Sequence, residues 1–357
     1  MSYYDSLNKK KKEYFNILSD YPNWLDDYID TPALQRIGYI SYDCGNDYTN
    51  LFPKHEWHSN LDHSVGVALI LWHFTHDKKQ TLAGLFHDIA TPVFKHCIDF
   101  MNNDYENQES TEELTRQIIM EDEKIMELLK RDNITVAEVA DYKIYPLADN
   151  NSPRLSADRF EYNFCAGYFF HPIWTLEEIK KVYDDVKVFN LPNGEIEMGF
   201  ADENIALDYI KHVVNLWPHW FNKEDRIAMQ FLADMCRCLN EANYLTIDDL
   251  YKLKESEVID IIKKSDSVLG EIYSKFEKAE KAYEGIAEGK YSINIKSKRR
   301  YIDPLVSDEF GNYIRLSEKN DEAKKIYDNF FDLPVSGPVH LDFEFKPDEY
   351  IKKLTIK

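Results

Sequence analysis

The sequence predicts a mainly α chain with a small α+β module toward its C-terminal end. Three observations carry that reading. Apolar residues recur at helical spacing through most of 62–285. Two-residue alternation, the mark of strands, is confined to 186–200 and 291–316. The length of 357 residues lies near the upper end of what one core serves, so one main domain with a smaller appendage is expected.

Taken in order, residues 1–29 read as an N-terminal helical extension, 30–287 as a helical core, and 288–357 as the partly β module. Within the core, Asp62 to Phe74 is apolar over a wide face, and Lys78 to His87 repeats the pattern with Leu82, Leu85 and Phe86, which predicts two core helices. Further helices are expected at 110–130, 135–142, 155–170, 202–220 and 224–240, with charge on their outer faces. Thr135 with Glu138, and Thr246 with Asp249, have the spacing of capping boxes. Val186 to Phe200, interrupted by Pro192-Asn193-Gly194, predicts a hairpin inserted in the core. In the C-terminal module Ile293 and Ile295 alternate with polar residues, and Tyr313 to Leu316 offers a pairing strand.

Composition narrows the function. With 64 acidic residues against 43 basic ones, the formal charge of −21 repels nucleic-acid backbones and anionic lipid, so neither polymeric nucleic acid nor a membrane is expected as partner. The five cysteines, Cys44, Cys97, Cys165, Cys236 and Cys238, contain no CxxC pair and predict reduced thiols rather than a disulfide framework or zinc ribbon. Four lysines at 9–12 are followed by no long apolar stretch, and a soluble cytoplasmic protein is expected.

Four residues stand out as ligands for a divalent ion: His63 in the first core helix, the adjacent His87 and Asp88 at the end of the second, and Asp158. Imidazole and carboxylate together suit a borderline or hard ion, and the lack of cysteine in the set disfavours a closed structural zinc site. Mn²⁺, Fe²⁺, Co²⁺ or Ni²⁺ fits better than Zn²⁺, and Mg²⁺ is compatible. Neighbouring side chains diverge by about 100° on a helix, so His87 and Asp88 reach one ion only where the helix lies beside it or unwinds. Gly84 and Pro92 permit that approach and stop.

These residues sit in longer motifs. Asp30 to Ile40, Asp62-His63-Ser64-Val65-Gly66-Val67, His87-Asp88-Ile89-Ala90-Thr91-Pro92-Val93-Phe94-Lys95-His96 and Asp158-Arg159-Phe160-Glu161-Tyr162 together resemble the HD-domain superfamily of metal-dependent phosphohydrolases. Within it they are most similar to the deoxynucleoside triphosphate triphosphohydrolase branch. The resemblance covers 30–170 and implies an HD-domain helical bundle, His63, His87, Asp88 and Asp158 as metal ligands, and hydrolysis of a phosphoester or phosphoanhydride of a small nucleotide. It also implies a homo-oligomer. Lys296 to Pro304 resembles a basic segment of bacterial members.

The chain departs from that branch at defined places. Thr91 stands where a histidine is usual four residues after the first His of the His-Asp pair, and threonine is no proton donor at neutral pH. A downstream His-Glu pair reads Gln108-Glu109, which leaves Glu109 as a catalytic carboxylate without its imidazole. Asn60 replaces an arginine, and the residue that reads the sugar falls near Tyr42. The leaving oxygen still needs a proton; His96 is assigned that role, with Asp99 to orient it. Arg36 and Arg159 are placed to reach phosphate, Tyr162 to stack on a sugar or base, and Arg299 and Arg300, in the strongest local positive cluster, to hold phosphates. Two further readings follow from the departures: a nucleoside monophosphate phosphatase, or a nucleotide-sensing protein that binds metal but turns over weakly.

Overall fold

In the computed structural model, residues 2–105, 114–308 and 312–354 are described. Among these described residues the chain is mainly α, with two small sheets. The first core helix spans Asn60–Thr75 and is buried on every side from Asn60 to Leu71, which is why its apolar residues show no narrow stripe. Ser59 caps it, and Asp62 completes the capping box from the third helical position. Helix Lys78–Phe86 packs against it at Gly84, where an added Cβ would stand 2.4 Å from Leu71 Cδ1. A larger residue there would force the Leu71 side chain to move. Among the described residues no helix is long and apolar enough to cross a membrane.

Several expected helices are shorter or divided. The 110–130 stretch forms Thr115–Glu121 and Glu123–Arg131, because the Asp122 side chain leaves the first helix to cap the second. The helix expected at 135–142 is instead two 3₁₀ turns, Val136–Glu138 and Tyr142–Ile144, although the Thr135–Glu138 capping box is formed. A capping box starts a helix, and Asp141 starts the next turn before the first can extend. Ala157–Cys165 continues as a π-turn over Ala166–Phe170. Glu203–Val213 and Lys223–Glu241 are separated by the Trp217–Trp220 3₁₀ turn, with Pro218 inside it.

The hairpin pairs Val186–Asn190 with Ile196–Phe200 across the Pro-Asn-Gly turn. Its second strand then accepts Leu305–Ser307 in parallel, and Tyr313–Arg315 closes the sheet. The other sheet sets Tyr291–Lys296 against Ser336–Leu341, with Ile293 opposite Val339, and adds Tyr283–Glu284 at its far edge. Residues beyond 288 thus divide between two places. Ile302, Val306, Leu316 and Phe330 join the cluster built on the first core helices, whereas Tyr291, Val339 and Phe345 join a second cluster built on Lys223–Glu241. The N-terminal helix Lys9–Leu18 also enters the first cluster, through Tyr14, Phe15 and Leu18.

Candidate metal centre and phosphate cavity

The helix Lys78–Phe86 ends one residue before His87, and the chain turns twice, with Ile89 N donating to Phe86 O and Thr91 N to Asp88 O. This unwinding lets two consecutive side chains face one point. His63, His87 and Asp88 bring ligand atoms within 4.8 Å of one another. Asp158, in the first turn of Ala157–Cys165, completes the group: its Oδ1 lies 3.2 Å from His63 Nε2 and 3.8 Å from His87 Nε2. His87 Nε2 is 3.7 Å from Asp88 Oδ2.

The outer contacts settle which nitrogen faces inward. His87 Nδ1 lies 2.7 Å from the Gly84 carbonyl, which can only accept, so Nδ1 carries the hydrogen and Nε2 presents its lone pair. His63 Nδ1 is bonded to Glu161, a buried carboxylate that also accepts 2.9 Å from the Tyr14 hydroxyl. Glu161 fits because Gly66 opposite it has no side chain; a Cβ there would stand 2.5 Å from Oε1. Glu161 also lies near the buried His58 and Cys165, but its oxygens are already engaged by His63 and Tyr14.

Electrostatics favour a cation at this point. Burial opposes a charged His63, but Glu161 and Asp158 outweigh it and raise the imidazole to about 9. Burial opposes ionised Asp158, yet His63 and His87 hold it down to about 2. Asp88 is likewise held well below the usual carboxylate range, by His87 and Lys95 against burial. A field that holds a proton between His63 and Asp158 is a field that attracts a metal ion. The donor set, two imidazole Nε2 atoms and two carboxylates, therefore fits a divalent ion.

The four residues open onto a cavity of about 690 Å³, the size of a small-molecule site. Cationic side chains line it: Lys95, Lys143, Arg154, Arg159, Lys298, Arg299 and Arg300. Lys95 follows Phe94, and both have positive φ, 46° and 61°. That bend sends Lys95 Nζ to 3.4 Å from Asp88 Oδ2 and 4.6 Å from the centre of the Tyr42 ring. Tyr42 in turn packs 5.1 Å from His63. Tyr162 lines the cavity with Trp220 edge-on at 5.1 Å, while Trp217 is wholly buried core.

His96 Nδ1 lies 2.9 Å from Asp99 Oδ2, and its Nε2 is 3.3 Å from Arg300 Nη2. A guanidinium only donates, so this Nε2 accepts and the ring is neutral. Burial, with Arg300 acting in the same sense, keeps the His96 pKa below its ordinary value despite Asp99.

Other expected phosphate contacts are engaged elsewhere. Arg36 does not line the cavity; its guanidinium donates to the Thr91 carbonyl and, at 3.5 Å, to that of Leu253, so it braces the loop after Asp88. Arg159 lines the wall but is held by Asp149 at 3.0 Å and by Asn150 Oδ1 at 2.7 Å. Arg299 lies over Phe330 and Phe331, 5.5 Å from each ring centre, and donates to Leu333 O at 2.5 Å, so it anchors its segment. Thr91 Oγ1 accepts from Asn60 Nδ2 at 3.0 Å, a structural role. Glu109 and Gln108 lie outside the described residues.

Sequence reasoning assigned no role to Glu161, Lys95, Asn46 or Asp225. Glu161 had a signal, since it stands three residues after Asp158 on one helix face. Asn46 and Asp225 are 179 residues apart and had none.

No family model matches the chain. An uncharacterised protein of Bacillus subtilis, YdhJ, is 24% identical over 308 residues, 85% of this chain and 89% of that protein. The metal-dependent phosphohydrolase cns2 of Cordyceps militaris is 24% identical over 131 residues, only 37% of either chain. Among solved structures, a hypothetical protein from Aquifex aeolicus superposes with TM-score 0.61 at 16% identity, over 92% of this chain and 94% of that one. A phosphohydrolase from Bacteroides thetaiotaomicron does so with TM-score 0.59 at 12% identity, over 92% and 96%. At these identities the likeness is one of fold, and it extends over nearly the whole chain.

Proposed function

We propose that the chain is a metal-dependent phosphohydrolase of the HD-domain type acting on a small phosphorylated metabolite, a nucleotide or a related ester. The observation that carries this reading is the convergence of His63 Nε2, His87 Nε2, Asp88 and Asp158 at the end of a cavity lined by cations. The names of the Cordyceps relative and the Bacteroides neighbour support it.

A divalent ion held by those four residues would supply Lewis acidity toward a phosphoryl oxygen and make water a better nucleophile near neutral pH. The chain's own residues do the rest. Lys95 and Arg300, both lining the cavity, offset phosphate charge, and Lys298 adds to that field. Hydrolysis joins a water oxygen to phosphorus, breaks the phosphorus–oxygen bond to the leaving group, and requires a proton on the departing oxygen. His96 supplies it in this scheme: a phosphate that draws Arg300 away frees Nε2, and Asp99 at Nδ1 then favours the protonated ring.

The test is metal analysis of the purified protein, followed by a Mn²⁺-supplemented panel of nucleoside mono-, di- and triphosphates with the phosphorus product identified. Bound metal with one product confirms the reading and names the bond cleaved. Bound metal without any product favours a nucleotide sensor, and absence of metal removes the assignment of the four ligands.

A further inference from the structure

One wall of the cavity is acidic rather than basic. Asp43 and Asn46 lie on the loop before the first core helix, and Asp225 sits in the first turn of Lys223–Glu241. Asn46 is only 4% exposed and Asp225 only 8%. Asn46 N donates to the Asp43 carbonyl at 2.8 Å, and Asn46 Nδ2 points to Asp225 Oδ1 at a long 3.5 Å. That contact turns the amide NH₂ toward Asp225 and its oxygen elsewhere. That oxygen, Asn46 Oδ1, is buried at the cavity wall and has no hydrogen-bond partner. An unpaired buried acceptor costs stability unless something completes it.

The missing partner is a neutral donor rather than a cation. Asp43 already has His55 Nε2 at 3.4 Å, and Asp225 is faced by Arg300 and Arg226. Burial and the neighbouring Asp43 nevertheless push Asp225 up to about 7, and burial raises Asp43, so both carboxyls are readily neutral while acceptor capacity remains. A carboxylate beside an amide oxygen matches two adjacent hydroxyl groups, each donating one hydrogen. Arg300 serves both sides of the cavity: it contacts His96 toward the metal centre and faces Asp225 at this wall.

We infer that Asn46 and Asp225 form a recognition site for vicinal hydroxyls, so that the substrate is a phosphate ester of a ribose-type sugar, free or as a ribonucleotide. The inference rests on the phosphohydrolase reading for the phosphate end of the ligand alone. It points away from deoxyribose selection, in line with the replacement near Tyr42 of the residue that reads the sugar in the branch the sequence resembles.

Calorimetric titration tests it with four probes: ribose 5-phosphate, 2-deoxyribose 5-phosphate, AMP and dAMP. One hydroxyl lost to a buried acceptor should weaken binding by about tenfold or more. The hydroxylated member of each pair is expected to bind tighter by that factor, and the ratio should collapse toward one in Asn46→Ala and Asp225→Asn, each checked for native helix content by circular dichroism. A preference shown by the free sugar phosphates identifies them as sufficient; one seen with AMP alone identifies the nucleotide. Equal binding of both members, no binding of any probe, or a ratio unchanged in folded variants overturns the inference. Because binding is read directly, selective binding without hydrolysis would sink the phosphohydrolase reading and leave this one standing.

Discussion

At the candidate metal centre His87 and His63 both have Nδ1 engaged, by Gly84 O and by Glu161, and Glu161 is itself held by Tyr14. At the Asn46 wall a buried amide oxygen has no donor, and a buried carboxylate takes one long bond. The first arrangement is complete within the protein, so its ligand atoms are aimed before anything binds. The second is completed only from outside. Rigid outer contacts orient groups that must meet an ion at fixed distances, whereas recognition of an organic group leaves protein acceptors for the ligand to satisfy.

The largest expected effect breaks the metal end. His87→Ala or Asp158→Ala should abolish bound metal and phosphate release together, read by elemental analysis and phosphate assay; a variant keeping both would remove the ligand assignment. Next, His96→Ala should slow turnover by about 10²-fold while metal content stays at the parental level. An unchanged rate would reduce His96 to a positioning partner of Arg300. Glu161→Gln keeps an acceptor for His63 but removes its charge, and should weaken metal affinity by about 10- to 100-fold, measured by competition with a chelator. Equal affinity would mean that the Glu161 contact serves packing alone.

The smallest effect concerns stability and extends the comparison to a carboxyl outside the site. Burial pushes Glu255 up to about 7, although the Tyr48 hydroxyl at 2.8 Å and Phe94 N at 3.2 Å donate to it. A carboxyl raised from 4.5 in the unfolded chain stabilises the fold fully below that value and loses the contribution as pH rises through about 7. Thermal unfolding should therefore show a Tm that declines between about pH 5 and pH 8, and Glu255→Gln should shrink the decline. An identical profile in the variant would show that other groups govern it.

Local pattern carried the two core helices, the capping boxes and the hairpin, because each depends on residues within one turn or one strand pair. It failed at 135–142, where capping chemistry was read correctly but Asp141 began a new turn before a helix could grow. The convergence of His63, His87, Asp88 and Asp158 was legible because motif spacing preserved these four candidate ligands. Arg36 shows the opposite case. Its motif suggested phosphate, yet its guanidinium is consumed by two loop carbonyls that no local reading could locate.

By itself the sequence determined the helical class, the candidate ligand residues and the net negative charge, since periodicity, residue chemistry and net charge are properties of neighbours or of sums. Tertiary structure alone decided that strand Leu305–Ser307 would join a hairpin more than a hundred residues away, that Arg300 would reach His96, and that Asn46 would face Asp225. Contacts of that kind come from packing two hydrophobic clusters around one cavity, and their partners are chosen by the shape of the whole chain.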